Sequence, residues 1–232
     1  MIGYESPILN RRPEYTLANM GRIFSVLHDF GIEISPQEQK IYDQLFCGID
    51  FADQLVDNKN LFPQAPNHIL SFLTGKQDFL PSEFPQPAVE NFSFLREIVA
   101  EKGIGSQVEK SVMRLLLLRN RLTRVDSISE FIDLTREEAI ESAKMAFLFL
   151  RQELPPHVKD YLTQANILGN LADNLLDLKS DYAQGQISLK PSQRLKVALK
   201  IEIFKLLATL SYHYPQKQEL PGLVKKYITM LA

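Results

Sequence analysis

The spacing of apolar residues predicts helices along almost the whole chain. In the first segment, Leu17, Met20, Phe24 and Leu27 recur at three- and four-residue intervals, the period of one face of an α-helix. No stretch shows the two-residue alternation that is typical of a half-buried strand. The predicted helices cover residues 14–30, 35–59, 67–74, 87–102, 106–125, 127–154, 157–184, 191–213 and 220–231.

Turn-forming and capping residues mark the predicted helix ends. Ser35 is a good N-cap and stands before Pro36, which suits the first helical turn. Thr135 and Glu138 have the spacing of a capping box, which indicates a break of the helix over 127–154 near residues 133–135. Glycines follow three of the predicted helices, at Gly31, Gly103 and Gly185.

The length and the short loops predict one all-α domain. The chain has 232 residues, of which 45% are hydrophobic, enough to bury a substantial core. Most predicted helices are joined by short connections, which favours antiparallel neighbours in one bundle. We therefore expect a single antiparallel helical bundle over residues 1–232, with no linker that divides it.

The composition excludes several classes of protein. The net charge of −2 argues against a nucleic-acid binder that relies on bulk electrostatics. A single cysteine, Cys47, excludes an intramolecular disulfide and a cysteine-rich zinc site, and it fits a reducing cytoplasm. No apolar run approaches the roughly 20 residues of a membrane span. We expect a cytoplasmic protein, and the sequence leaves a peripheral contact with a membrane open.

Aspartates form stripes on two of the predicted helices. The first acidic stripe, at i, i+3 and i+7 of the helix over 35–59, consists of Asp50, Asp53 and Asp57. The second acidic stripe, at i, i+4 and i+8 of the helix over 157–184, consists of Asp173, Asp177 and Asp181. At about 100° per residue, each set stays on one face of its helix. Aliphatic residues such as Leu55 and Leu175 border the stripes, so we expect the carboxylates to edge apolar faces.

The stacked carboxylates suggest magnesium. Carboxylates along one helix face repel one another by about 0.2–0.5 kcal/mol per adjacent pair even when exposed. If they are partly buried, they need shifted pKa values or bound cations. Mg²⁺ prefers oxygen ligands and commonly takes a few carboxylates together with substrate phosphates. Two such helices facing each other across a bundle would hold several Mg²⁺ ions and a diphosphate, whereas either stripe alone is compatible with a solvated acidic face.

A diphosphate also needs cationic partners. Residues 110–124 hold five basic side chains and no acidic one. Arginine suits the bidentate binding of phosphate oxygens, although a solvated basic face is the alternative. The candidates for diphosphate binding are Arg114, Arg121 and Arg124 in this helix and Lys190 and Arg194 beyond the second acidic stripe.

The second acidic stripe and its tail resemble a motif of the squalene/phytoene synthase family. The matching residues within 171–191 are Asp173, Asp177, Asp181, Gly185, Ile187, Leu189 and Pro191. In that family, an Asn or Asp and two Asp at four-residue steps precede a Gly-Arg-x-x-Leu-Pro-like segment. The first stripe, through the Asp-Gln-Leu-Val-Asp of residues 53–57, is similar to the family's first Asp-x-x-x-Asp motif, about 120 residues earlier. The resemblance covers roughly residues 35–191.

The resemblance implies the class I isoprenoid synthase fold and ionisation of an allylic prenyl diphosphate, of C15 or C20, with release of diphosphate. It implies that Mg²⁺ is the cofactor and that its ligands are Asp53 and Asp57 of the first stripe and Asp173, Asp177 and Asp181 of the second. Asp50 shares the first stripe and is a candidate for an additional ligand or for a partner of one, but no motif position of the family matches it. Asn170 and Asn174 beside the second stripe either hydrogen-bond a ligand carboxylate or face solvent. The carbocation needs a dry apolar cavity. Candidates for its lining, each also typical of a plain core, are Phe46, Phe51, Phe147, Phe149 and Leu168. Terpene cyclases use the same fold, so cyclisation is the alternative to condensation.

Other classes of protein fit the sequence less well. A di-iron carboxylate bundle requires Glu-x-x-His pairs, which the four histidines do not form. Glu137, Glu138 and Glu141 are spaced like the metal ligands of an all-α nucleotide pyrophosphatase. An exposed start of a helix is the plainer interpretation of these three residues. Gln54 and Gln186 replace an acid and an arginine that are common in the resembled family. These departures favour the main rival, a catalytically degenerate member that acts as an assembly or scaffold protein.

Overall fold

The structure, a computed structural model, describes residues 23–57, 62, 64–150 and 153–215, and all regular elements in that part are helices. A helical segment over residues 23–29, α1, comes first. It is followed by α2 (Pro36–Asp57), α3 (Ala65–Leu73), α4 (Gln86–Lys102), α5 (Gly105–Leu122), α6 (Ile128–Leu148), α7 (Pro156–Ala183) and α8 (Gln193–His213). The all-α prediction is confirmed for these residues. The predicted helical residues 14–22 and the predicted helix over 220–231 lie outside the described part.

Capping chemistry explains why several predicted helix ends agree with the observed ones. The helix predicted over 127–154 is an exception, since α6 ends at Leu148. Ser35 and Glu38 form a reciprocal capping box at the start of α2. The Glu38 backbone N–H donates to Ser35 Oγ at 3.2 Å, and the Ser35 N–H donates to Glu38 Oε2 at 3.1 Å. At the end of α4, Gly103 has a φ of 64°, a left-handed conformation that glycine adopts without strain.

The predicted break in the middle of α6 is wrong. The helix runs without interruption from Ile128 to Leu148. Thr135 does not cap a helix: its side chain is buried with Phe131 and Leu134, and its hydroxyl has no hydrogen-bond partner in the described part of the chain. These residues continue one apolar face, so packing decides in favour of a continuous helix over a local capping signal.

The chain forms two compact units, each built from separate chain segments. The described residues of unit 1 lie within 23–24, 33–110 and 148–150, and those of unit 2 lie within 25–32, 111–147 and 153–215. In unit 1, the helices α2, α3 and α4 pack against one another. In unit 2, α7 packs against α8. The prediction of a single domain over residues 1–232 stays a prediction.

Unit 2 has a core to which α5, α6, α7 and α8 all contribute. Leucines from α5 and aromatic and aliphatic residues from α6 meet the buried faces of α7 and α8 in one cluster. Its members include Leu118, Leu122, Phe131, Leu134, Leu168, Leu171, Leu178, Leu195, Leu199 and Ile203. None of the helices in the described residues combines the length and the apolar composition that a membrane crossing requires.

Close approach of two helices organises unit 1. Gly48 of α2 faces α4, and a Cβ atom at this position would lie 2.6 Å from Leu95 Cδ1 and 2.7 Å from Asn91 Oδ1. Asn91 has little freedom to move, because its side-chain amide donates to the Gln44 carbonyl at 2.9 Å and to Gln44 Oε1 at 2.8 Å. Only glycine therefore fits at this point of the α2–α4 contact.

Replacing Gly48 tests this contact. A Gly48→Ala substitution adds a clash that costs about 1–3 kcal/mol, against a gain of about 1 kcal/mol in helix propensity. We expect a net loss in the free energy of unfolding, measured by urea denaturation. Gly105→Ala is the matched control, because its Cβ would meet only Val99 Cγ1 at 3.8 Å. Equal stability of the two variants would contradict the close approach.

An aromatic cluster fixes the end of α8 in unit 2. The Tyr214 ring contacts the rings of Phe30 and Tyr161, with centroid distances of 6.0 and 4.8 Å. Its hydroxyl donates to the His157 carbonyl at 3.0 Å and lies 3.3 Å from Asp160 Oδ2. Burial, followed by the charge of Asp160 and the hydrogen bond to it, raises the pKa of Tyr214 above its ordinary value.

The raised pKa of Tyr214 predicts a dependence of stability on pH. The folded state holds the phenolic proton of Tyr214 more tightly than the unfolded state does. The protonated Tyr214 therefore stabilises the fold below pH 10.0, and this contribution is lost as the pH rises through the pKa of the folded state. A Tyr214→Phe variant should be less stable at neutral pH by about 1 kcal/mol, from the lost hydrogen bond. It should also lose less stability than the wild type between about pH 9 and about pH 11 in urea denaturation. Equal losses over that range would contradict this role of Tyr214.

Candidate functional site

Helix α7 carries the second acidic stripe on the side opposite its buried face. Leu171 and Leu178 belong to the core of unit 2, and the stripe is centred about 140° around the helix from that buried face. The Asp177 side chain is exposed, whereas Asp173 and Asp181 are half-buried. The core therefore fixes the helix, and the carboxylates face away from that core.

The surroundings of the second stripe differ in part from the expected apolar edge. Leu175 packs against the core of unit 2, but Leu176, next to Asp177, is 56% exposed. Asn174, a candidate partner of a ligand carboxylate, donates its side-chain amide to the Asn170 carbonyl at 2.9 Å. This hydrogen bond within α7 uses one of the two side-chain amide protons of Asn174.

The end of α7 matches the glycine of the second motif. Gly185 has a φ of 71°, and the N–H of Gln186 donates back to the Asp181 carbonyl at 2.8 Å. This pattern closes the helix one turn after the stripe ends. Since a residue with a Cβ is strained at this φ, glycine is required here for a backbone reason.

The segment after Gly185 is anchored to the end of α5. The Ser188 N–H donates to the Leu122 carbonyl at 3.3 Å, and Ser188 Oγ donates to the Val125 carbonyl. These bonds hold the backbone next to Lys190 against the backbone next to Arg124. Sequence reasoning missed Ser188, because nothing in its spacing distinguishes it from other turn serines.

The first acidic stripe lies on α2, in unit 1. Asp50 is half-buried and Asp53 is exposed. Asp57 is the last residue of α2, and its side chain lies outside the described part. The position of the stripe on one helix is as predicted, and its role as a ligand set stays a prediction.

Most of the basic candidates on α5 have acidic partners on α6. Arg114 Nη2 lies 2.7 Å from Glu137 Oε2, and Arg121 Nη2 lies 3.3 Å from Glu130 Oε1. Two further contacts between these helices are the Arg119–Glu138 pair at 4.0 Å and the Ser111–Glu141 hydrogen bond at 2.8 Å. The basic face of α5 is thus balanced inside unit 2. This arrangement also gives Glu137, Glu138 and Glu141 a structural role.

Three of the candidates for diphosphate binding remain available to bind an anion. Arg124, Lys190 and Arg194 are exposed, and the described part of the chain offers none of them an ion-pair partner. Arg124 and Lys190 are the two that the Ser188 hydrogen bonds bring towards each other. Within unit 2, these two residues fit the binding of a diphosphate better than Arg114 and Arg121 do.

The donor chemistry of the second stripe suits Mg²⁺, but the described side chains do not form a complete cage. Among the residues that the structure describes, no group of three His, Cys, Asp or Glu side chains is placed to hold a metal ion. Mg²⁺ usually takes one or two protein carboxylates and completes its shell with water and substrate phosphates. Carboxylates spaced one turn apart on an accessible helix face are compatible with that requirement.

The predicted lining residues divide between packing and partly open positions. Leu168 belongs to the core of unit 2, and Phe149 is also buried. Phe46 and Phe51 of α2 and Phe147 of α6 are half-buried. Leu168 and Phe149 therefore serve packing, whereas Phe46, Phe51 and Phe147 each keep part of their apolar surface exposed.

A scan against protein-family models and searches of the curated proteins and of the solved structures found no match to this chain.

The anchoring of the motif tail by Ser188 is testable. A Ser188→Ala substitution leaves the Val125 carbonyl without its hydroxyl donor, so we expect a loss of about 1 kcal/mol in the free energy of unfolding. Ser129→Ala, at an exposed position of α6, is the matched control and should leave stability unchanged. Urea denaturation measures both, and an unchanged Ser188→Ala variant would show that the hydroxyl does not anchor the tail.

Proposed function

We propose that this protein is a Mg²⁺-dependent enzyme that ionises an allylic prenyl diphosphate, in the manner of squalene and phytoene synthases. The observation that carries the proposal is the arrangement of α7. Its three aspartates, one turn apart, occupy the face opposite the core, and the helix closes at Gly185 with a tail that is anchored beside Arg124. The resemblance to the second motif of the family adds to this support.

The carboxylates of α7, exposed at Asp177 and half-buried at Asp173 and Asp181, provide the first requirement of the reaction. Asp173, Asp177 and Asp181 present oxygen donors over about 12 Å of helix, which is the scale of a hydrated metal–diphosphate group. When bound, Mg²⁺ would neutralise charge on the leaving diphosphate as a Lewis acid. The core contacts of Leu171 and Leu178 hold the carboxylates in place, so little reorganisation accompanies binding.

Cationic side chains provide the second requirement. When the allylic carbon–oxygen bond breaks, its electron pair leaves with the diphosphate, whose negative charge then needs donors. Arg124 and Lys190 are exposed and have no ion-pair partner in the described part of the chain. We assign them to the leaving diphosphate, with Arg194 as a further contact. The guanidinium of Arg124 allows bidentate binding.

Apolar side chains provide the third requirement, protection of the carbocation from water. We assign this role, within unit 2, to the half-buried Phe147 of α6. Condensation of two prenyl groups gives a linear product, and cyclisation of one gives a cyclic product. Mass spectrometry of the products formed from C15 and C20 diphosphates distinguishes these reactions.

A non-catalytic role in assembly is the second candidate, and the ion pairs between α5 and α6 favour it. Arg114 and Arg121 have carboxylate partners in the protein itself, and their exposed pairs give unit 2 a balanced surface without any ligand. Gln54 and Gln186, which replace residues common in the resembled family, point in the same direction. This candidate predicts that no prenyl diphosphate is consumed in the presence of Mg²⁺.

The Asp177→Asn variant tests the enzymatic proposal. It removes the charge of the most exposed carboxylate of the second stripe and preserves its shape. We expect diphosphate release from farnesyl or geranylgeranyl diphosphate to fall at least about 100-fold, the scale seen when a group that stabilises developing charge is removed. Asp133→Asn, at an exposed position of α6, is the matched control and should retain activity.

Two results would count against the proposal. Wild-type protein that releases no diphosphate from C10, C15 or C20 substrates with Mg²⁺ would support the non-catalytic alternative. Equal activity of the wild type and the Asp177→Asn variant would show that the second stripe does not act on the leaving group.

A further inference from the structure

Helix α8 is apolar on two opposite faces. One face, with Leu199, Ile203 and Leu206 among its members, is buried in the core of unit 2. The other face carries a stripe of large exposed side chains, which we call the outer stripe. It consists of Val197, Ile201, Phe204 and Tyr212, with exposed fractions of 44%, 49%, 55% and 82%.

The outer stripe is continuous along the helix. Its members and the exposed Ala208 stand at i, i+4, i+7, i+11 and i+15, so all of them fall within about 80° of one another around the axis. A helix of a globular protein normally keeps the face opposite its core polar. Four large apolar side chains in line on that face indicate a partner that receives them.

The charges around the outer stripe are almost all positive. Helix α8 contains Arg194, Lys196, Lys200 and Lys205 and a single acidic residue, Glu202. Arg194 and Lys205 lie on one side of the outer stripe and Lys200 on the other. Glu202 pairs with both Arg136 and Lys205, so these three side chains together still carry a net positive charge. A partner that fits this face is therefore apolar at its centre and negatively charged around it.

We propose that the outer stripe of α8 binds the surface of an anionic lipid bilayer. Aliphatic and aromatic side chains on one helix face enter the boundary between headgroups and acyl chains, and flanking lysines and arginines reach the lipid phosphates. Each basic residue near an anionic surface adds about 1 kcal/mol of attraction. Tyr212, at the end of the outer stripe, is of a type that suits the interfacial region.

Charge disfavours two alternative occupants of this face, a second copy of the chain and its own residues 216–232. A two-fold dimer through α8 would bring the same basic flanks together in both copies. The chain's own residues 216–232 contain three lysines and one glutamate, so they also lack the negative charge that the flanks require. An anionic membrane is the partner whose charge complements α8. The proposal rests on α8 and does not require the proposed reaction, with which it shares only Arg194.

A single tryptophan placed in the outer stripe reports on the proposal directly. The chain has no tryptophan, so Phe204→Trp gives a unique fluorescent probe. We expect its emission to shift to the blue on addition of vesicles of phosphatidylglycerol and phosphatidylcholine, and the shift to be reversed by high salt. Phe79→Trp, at a position in unit 1 that is 82% exposed, is the control and should not shift.

Sedimentation with the same vesicles tests whether the outer stripe causes binding. The double substitution Ile201→Asn with Phe204→Ser should lower the fraction bound at least about tenfold. Because both side chains are exposed, the melting temperature should stay within about 2 °C of the wild type. Both proteins should be monomers by light scattering.

Four outcomes would overturn the proposal. The first is the absence of a spectral shift with anionic vesicles, and the second is an equal shift with vesicles of phosphatidylcholine alone. The third is a wild-type dimer that the double substitution dissociates, which would assign the face to a second copy. The fourth is a large fall in melting temperature of the double variant, which would show that the chain's own residues cover the face.

Discussion

The candidate site depends on one constraint, which is that α7 has to satisfy two opposite faces at once. Its leucines are buried in the core of unit 2, and this contact fixes the rotation of the helix about its axis. The centre of the second stripe then faces away from the core, about 140° from the buried face, with Asp177 exposed and Asp173 and Asp181 half-buried. Carboxylates placed on the core side would remain unpaired at a large desolvation cost. The accessible acidic face is thus a consequence of how the core is packed.

The ion pairs between α5 and α6 balance the basic face of α5 locally. The basic side chains of α5 find glutamates on the next helix, so the charge of Arg114 and Arg121 is balanced without a ligand. Exposed pairs of this kind contribute little to stability, typically about 0–1 kcal/mol. Their effect is to single out Arg124 and Lys190, which lie beside the anchored motif tail and have no such partner in the described part of the chain.

Local chemistry made the helices predictable, and contacts distant in sequence made the rest unpredictable. The capping box at Ser35 and the glycines that end helices act within a few residues, so their signals are readable from the sequence. The break near Thr135 was wrong because burial overrides a local cap. Three other contacts join elements that are far apart in the sequence: the α5–α6 ion pairs, the close approach at Gly48 and the hydrogen bonds of Ser188. The spacing of residues along one helix carries no information about which distant element that helix contacts. The second stripe was placed on one helix face correctly, but the exposure of Leu176 beside it depends on packing.

We propose that the second acidic stripe binds a metal–diphosphate group. Isothermal titration of the wild-type protein with inorganic diphosphate, in the presence and in the absence of Mg²⁺, measures this binding without any assumption about the prenyl chain. We expect binding that requires Mg²⁺, because carboxylates repel a bare diphosphate and accept it only through a cation. Binding of equal strength without Mg²⁺, or no binding in either condition, would contradict it.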